Sequence, residues 1–141
     1  MGERFSAAVH STARGWRLLI DKQLKHLGIG QAGWMTIAMI AKSAEAMSQR
    51  ALADLVGVEG PSMVSMLDRL EREGLVTRSP SPTDRRVKLV HLTDAGTTLY
   101  QQVKEQANSV RLALLGDIDP DRLKAATKLL ELLRARIEEQ L

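Results

Sequence analysis

The chain of 141 residues is long enough to bury a core of its own, and its 44% apolar and 26% charged residues are ordinary for a globular protein. It has no cysteine and only three scattered histidines (His10, His26 and His91), which excludes disulfides, thiolate metal sites and thiol redox sensing and argues against a zinc centre. A formal charge of +3 is mildly basic and favours a polyanionic partner without identifying one.

Residues 1–20 interleave Glu3, Arg4, Arg14 and Arg17 with apolar positions, the pattern of an amphipathic helix rather than a signal peptide. Nowhere does the chain reach the roughly 18 apolar residues of a membrane span, so no membrane partner and a cytoplasmic location are expected. Phe5, Val9, Thr12, Trp16, Leu19, Ile20 and Leu27 recur at helical spacing and predict a helix over 3–27, broken by Gly28-Ile29-Gly30. A second helix over 31–42 is apolar all round (Trp34, Met35, Ile37, Ala38, Ile40, Ala41), which predicts a buried element. Ser48 suits the N-cap of a short helix over 48–56, with Ala51, Leu52, Leu55 and Val56 inward.

After the tight VGVEG connection, Pro61 suits the first position of a helix over 61–73, and Gly74 suits its stop. Two short helices joined through a glycine turn make a helix-turn-helix. LVTRS and VKLVHL then read as strands around the loop PSPTDRR, and a hairpin in that place is a wing. Thr93 caps a long helix carrying Leu99, Val103, Ala107, Val110 and Leu114, which Gly116 ends. Asp119-Pro120 starts a last helix, in which Leu123, Ala126, Leu130, Leu133, Ile137 and Leu141 repeat at near-heptad spacing.

The expected fold is mainly α with a small β wing. A winged helix-turn-helix core (31–92) is flanked by N- and C-terminal dimerisation helices (1–30 and 93–141), all in one domain. The terminal helices carry longer apolar stripes than a small winged core can bury, which predicts a homodimer through them. The alternative is a monomer whose three long helices pack on each other.

Five Lys and Arg against two acids in residues 1–26, and four against Asp84 in residues 78–88, concentrate the positive charge. On the 61–73 helix, Met63, Leu67 and Leu70 share one face, and Pro61, Ser62, Ser65, Asp68, Arg69 and Arg72 the other. Serines can contact base edges or phosphates, arginines can contact guanine or phosphate, and the helix N-terminus offers backbone donors. Alone, this face also fits a solvated helix with an Asp68–Arg72 ion pair; the helix-turn-helix context favours double-stranded DNA. Ser48 and Gln49, at the start of the preceding helix, join the candidate contacts. In the loop, Pro80 and Pro82 are stiffening residues, and Asp84 can orient Arg86. An oriented guanidinium at a hairpin tip can enter a narrow A·T minor groove, while Arg85 and Lys88 meet the flanking phosphates.

The run QRALADLVGVEGPSMVSMLDRLEREGLVTR through PTDRRVKLVHLT resembles the winged-helix domain of the MarR family of bacterial transcriptional regulators. ARGWRLLID and QAGWMTI resemble its SlyA-like branch. The resemblance covers nearly the whole chain, and the Asp-x-Arg wing followed by Leu92-Thr93 is its distinctive part. It implies a homodimer on a pseudo-palindromic operator, with the 61–73 helices in successive major grooves, Ser62 and Ser65 as readers and Arg86 in the minor groove. It also implies a pocket for a small aromatic carboxylate that weakens DNA binding, with Arg17 pairing the carboxylate and Trp34 stacking on the ring. Ser65 stands where SlyA-like relatives tend to carry Arg, and Ala38 where relatives can have His. The missing cysteine argues against the peroxide-sensing branch.

Two other classes compete. A winged helix used for protein docking, or a DNA-binding protein without a ligand, would share the fold; docking predicts an apolar or acidic exposed face on the 61–73 helix, against which Arg69, Arg72, Arg85 and Arg86 weigh. An enzyme lacks support, since there is no nucleophile–His–acid set, no metal-ligand cluster and no phosphate-cradling glycine loop. No cofactor is expected.

Overall fold

Local signals set most of the boundaries. The Ser48 hydroxyl accepts from the Ala51 backbone N–H at 3.1 Å, and the Asp119 carboxylate accepts from that of Arg122 at 3.1 Å. Both side chains satisfy an orphan donor of a helix first turn. Thr93 does the same for Gly96 N–H at 3.0 Å, and its hydroxyl donates to the Gly74 carbonyl at 2.6 Å. Gly57 ends its helix at φ +81°, a left-handed conformation that glycine adopts without strain.

The computed structural model describes residues 1–141. Helix α1 spans Gly2–Leu24 and runs into a 3-10 turn at Lys25–Leu27. Then come α2 (Gly30–Lys42), β1 (Met47–Ser48), α3 (Gln49–Val56) and α4 (Gly60–Arg72). Strands β2 (Val76–Pro80) and β3 (Lys88–Leu92) form the wing, followed by α5 (Asp94–Leu115) and α6 (Pro120–Glu138). No helix is long and apolar enough to cross a membrane.

The chain divides into two units, Met1–Ala107 and Asn108–Leu141. In the first, the core gathers Ile37 from α2, Leu52 from α3, Met63, Leu67 and Leu70 from α4, and Val76 and Val90 from the sheet, each at most 1% exposed. The predicted inward face of α4 is the buried one. The second unit holds the end of α5 and all of α6, where no residue of α6 is buried and Leu129, Leu130, Leu132 and Ile137 stand exposed.

Four details differ from the sequence reading. The sheet has three antiparallel strands in the order β1-β3-β2, because Met47 and Ser48 pair with Val90 and Leu89. Two residues are too short to show a strand period. The first helix loosens to 3-10 geometry after Leu24, and Pro61 is the second residue of α4, with Glu59 as cap. Leu55 is 56% exposed, whereas Ala53 is buried. At about 100° per residue the buried arc of α3 is centred between Leu52 and Ala53, which includes Val56 and leaves Leu55 out.

Candidate nucleic-acid interface

Helix α4 presents Pro61, Ser62, Ser65, Met66, Arg69 and Arg72 around a shallow open groove. Its apolar face fixes the helix on the core, so these side chains are turned outward. Ser62, Ser65 and Arg72 are exposed. Arg69 is half-buried: its Nη2 donates to the Gly28 carbonyl at 3.1 Å, and its Nε lies 3.7 Å from the Glu73 carboxylate. The guanidinium therefore ties α4 to the turn before α2.

The wing is a ladder from Val76↔Leu92 to Pro80↔Lys88. Ser81 N–H donates to the Val87 carbonyl at 2.8 Å, and Val87 N–H donates to that of Asp84 at 3.0 Å. The second bond closes a turn over 84–87 with Arg85 and Arg86 at its two central positions. Asp84 holds that turn from within: its Oδ1 accepts from the Arg86 backbone N–H at 3.0 Å and from Arg86 Nε at 3.2 Å, and its Oδ2 accepts from Nη2 at 3.3 Å. The Arg86 side chain is 90% exposed. A forked pair fixes its direction and leaves its outer edge free for a ligand.

Arg86 holds the Asp84 carboxyl below its ordinary value of 3.8, first through its side chain and then through its backbone N–H. A depressed pKa in the folded state means that the pair is intact above the ordinary carboxylate range and is lost only as pH falls through the depressed value. The wing tip therefore keeps its shape across about pH 5 to 8. We expect a carbon-13 NMR titration to place the Asp84 midpoint below 3.8, and Arg86→Ala to raise it; equal midpoints in the two proteins would disprove the pairing.

The remaining candidates fall around these two features. Arg72, Arg85 and Lys88 are exposed and enter no ion pair. Ser48 uses its oxygen as the α3 cap and keeps its O–H to donate. Gln49 Oε1 accepts from Arg78 Nη1 at 3.1 Å. Arg78 corrects two readings. Asp68 pairs with Arg78 at 2.6 Å and not with Arg72, and Arg78, which also pairs with Glu71 at 3.1 Å, is neutralised rather than part of an open basic patch. Burial alone would lower the Arg78 pKa, but the hydrogen bonds to Asp68 and Glu71 outweigh it and raise it. Strand parity is the signal that reveals this, because Arg78 shares a face with buried Val76, where a cation needs acidic partners.

Arg17 and Trp34 have different surroundings. Arg17 is exposed on α1 and lines an open cavity of about 390 Å³ with Arg14, Leu18, Gln31, Met35, Val56 and Gly57. Trp34 does not line that cavity. It is 7% exposed, and its Nε1 donates to Asp21 Oδ1 at 3.1 Å.

The sequence and fold match known proteins. The MarR family model matches residues 31–88. The transcriptional regulator PA3341 is 36% identical, with 96% of this chain and 98% of that one covered and a TM-score of 0.88. A MarR transcriptional regulator from Methanosarcina mazei Go1 is similar in fold at 22% identity, with 99% of each chain covered and a TM-score of 0.86. So is a MarR variant from E. coli complexed with operator DNA, at 24% identity, 92% and 93% coverage and a TM-score of 0.77.

Proposed function

We propose, from the premise that the chain belongs to the MarR family of transcriptional regulators, that it acts as a homodimer on a pseudo-palindromic operator. The family is one of DNA-binding transcriptional regulators. The exposed Arg86, forked onto Asp84 at the tip of a tight turn, is the observation that carries the finer reading. Each α4 enters a major groove, with Ser62 and Ser65 toward base edges and Arg72 toward the backbone; the two half-sites lie about one helical turn apart. Each wing lays Arg86 in the adjacent minor groove, with Arg85 and Lys88 on phosphates. Ser48 and Gln49 contact the backbone, and Arg69 steadies α4. A second copy supplies the cover that Phe5 and Leu18 on α1 and the leucines of α6 lack within one chain.

The cavity beside Arg14 and Arg17 suits a small aromatic carboxylate, with two guanidinium groups for its charge and Leu18, Met35 and Val56 for its ring. Trp34, buried and bonded to Asp21, does not line this cavity and is not assigned to the ligand. The ARGWRLLID and QAGWMTI segments support the SlyA-like branch.

Selection of bound duplexes from a random DNA pool, at two salt concentrations, tests this function. The expected product is a palindrome with A·T-rich flanks, bound more weakly at high salt and, if the cavity takes such a ligand, in the presence of salicylate. A pool without enrichment would replace operator binding by non-specific binding or protein docking.

A further inference from the structure

Three acceptors converge on one guanidinium. Arg78 leaves β2 on the face of buried Val76, and its side chain is only 18% exposed. Its Nη2 donates to Asp68 at 2.6 Å and its Nε to Glu71 at 3.1 Å, both on α4; its Nη1 donates to Gln49 Oε1 at 3.1 Å, at the start of α3. The planar fork thus joins the wing to both helices of the helix-turn-helix. A guanidinium has donors and no acceptor, so the amide atom of Gln49 that faces it is the oxygen. The oxygen is then turned toward Arg78, and the NH2 group, which has no partner within the chain, is left to donate. A glutamine that reads adenine presents its oxygen and its NH2 together to the base edge. With the oxygen held inward, Gln49 is suited to donate to a phosphate. Its place fits that role, since the first helix of a helix-turn-helix crosses the DNA backbone.

We propose that Arg78 is a positioning residue for DNA binding: it holds Gln49 with its amide oxygen inward, so that Gln49 donates to a DNA phosphate in register with α4. The proposal rests on the DNA-binding reading above and goes beyond it, because it assigns a role to a side chain that makes no DNA contact itself.

A double-mutant cycle on the duplex recovered by selection tests it, with Gln49→Ala, Arg78→Met and the pair compared at one salt concentration. In the wild-type background we expect Gln49→Ala to raise Kd about a hundredfold, since the proposed dimer loses two hydrogen bonds to charged groups. In the Arg78→Met background the same change should raise it less than about twofold, because an amide without its anchor no longer counts. A purely structural Arg78 would lower the melting temperature and leave the two costs multiplicative; equal costs in both backgrounds overturn the proposal. If Arg78→Met fails to fold, Arg78→Lys carries the same comparison, since its ammonium can sit between Asp68 and Glu71 without a fork to reach Gln49. A wild-type protein that selects no duplex overturns the DNA-binding reading and this proposal with it. One that selects a duplex while the cycle shows no coupling overturns this proposal alone.

Discussion

Arg86→Ala is expected to remove most of the sequence-specific affinity while leaving the fold intact. The side chain is 90% exposed, so its loss opens no cavity, and its partner Asp84 keeps the bond from the residue 86 backbone N–H. Each specific arginine contact to DNA is worth about 1–3 kcal/mol, and the proposed dimer loses two, so Kd should rise by roughly a factor of 30 or more. The salt dependence should become shallower by about two charges per dimer. Two comparisons separate a groove contact from mere charge. Arg85→Ala should weaken all duplexes by a similar, smaller factor. Asp84→Asn keeps the Arg86 charge but loosens its aim, so it should blunt the preference for A·T flanks with little change in salt slope. The check is titration of the selected duplex and a scrambled one at several salt concentrations, alongside thermal melting. Unchanged affinity for the selected duplex would remove the wing from the binding mechanism.

What the sequence reveals and what it hides divide by distance along the chain. The Asp84–Arg86 fork spans two residues, and the Ser48, Thr93 and Asp119 caps each reach three residues ahead. Local chemistry of this kind is visible in the sequence because few alternatives exist for a short polar side chain at a helix start or a turn. The helical period likewise marks the buried face of α4, because an amphipathic helix has one stripe to bury. Partners chosen by tertiary packing are different. Arg78 reaches Gln49 across 29 positions, Arg69 reaches Gly28 across 41, and Trp34 reaches Asp21 across 13. Helical spacing favours Arg72 as the partner of Asp68, and strand parity marks Arg78 only as a cation that needs acidic partners; the approach of β2 to α4 decides which ones. The same limit governs Leu55, whose place depends on where α3 docks rather than on its own period.

Gly96→Ala is expected to destabilise the protein, although helix propensity alone predicts the opposite. An alanine inside a helix is favoured over glycine by about 1 kcal/mol. Gly96 lies in the first turn of α5, and a Cβ there would sit 2.1 Å from the Leu75 carbonyl oxygen and 3.2 Å from Leu92 Cδ2. The nearer neighbour is backbone and cannot rotate away. It is also already in use, because the Leu75 carbonyl accepts from Thr93 N–H at 3.1 Å while Leu75 N–H donates to the Leu70 carbonyl at 2.9 Å. Thr93 fastens the same junction by donating to Gly74 and accepting from Gly96. The start of α5 therefore packs backbone to backbone on the entry to β2, and an added methyl must push the two apart. Overpacking of this kind costs about 1–3 kcal/mol, and loosened hydrogen bonds add about 1 kcal/mol each, so a net loss of about 2 kcal/mol remains after the propensity gain. Denaturant unfolding at fixed protomer concentration measures it, since the stability of the proposed dimer depends on that concentration. A gain in stability would mean that the junction is looser than its bonds imply. The effect should also reach function, because β2 carries Arg78 and leads into the turn that aims Arg86; a displaced strand misplaces both, and operator affinity should fall even where the variant is fully folded.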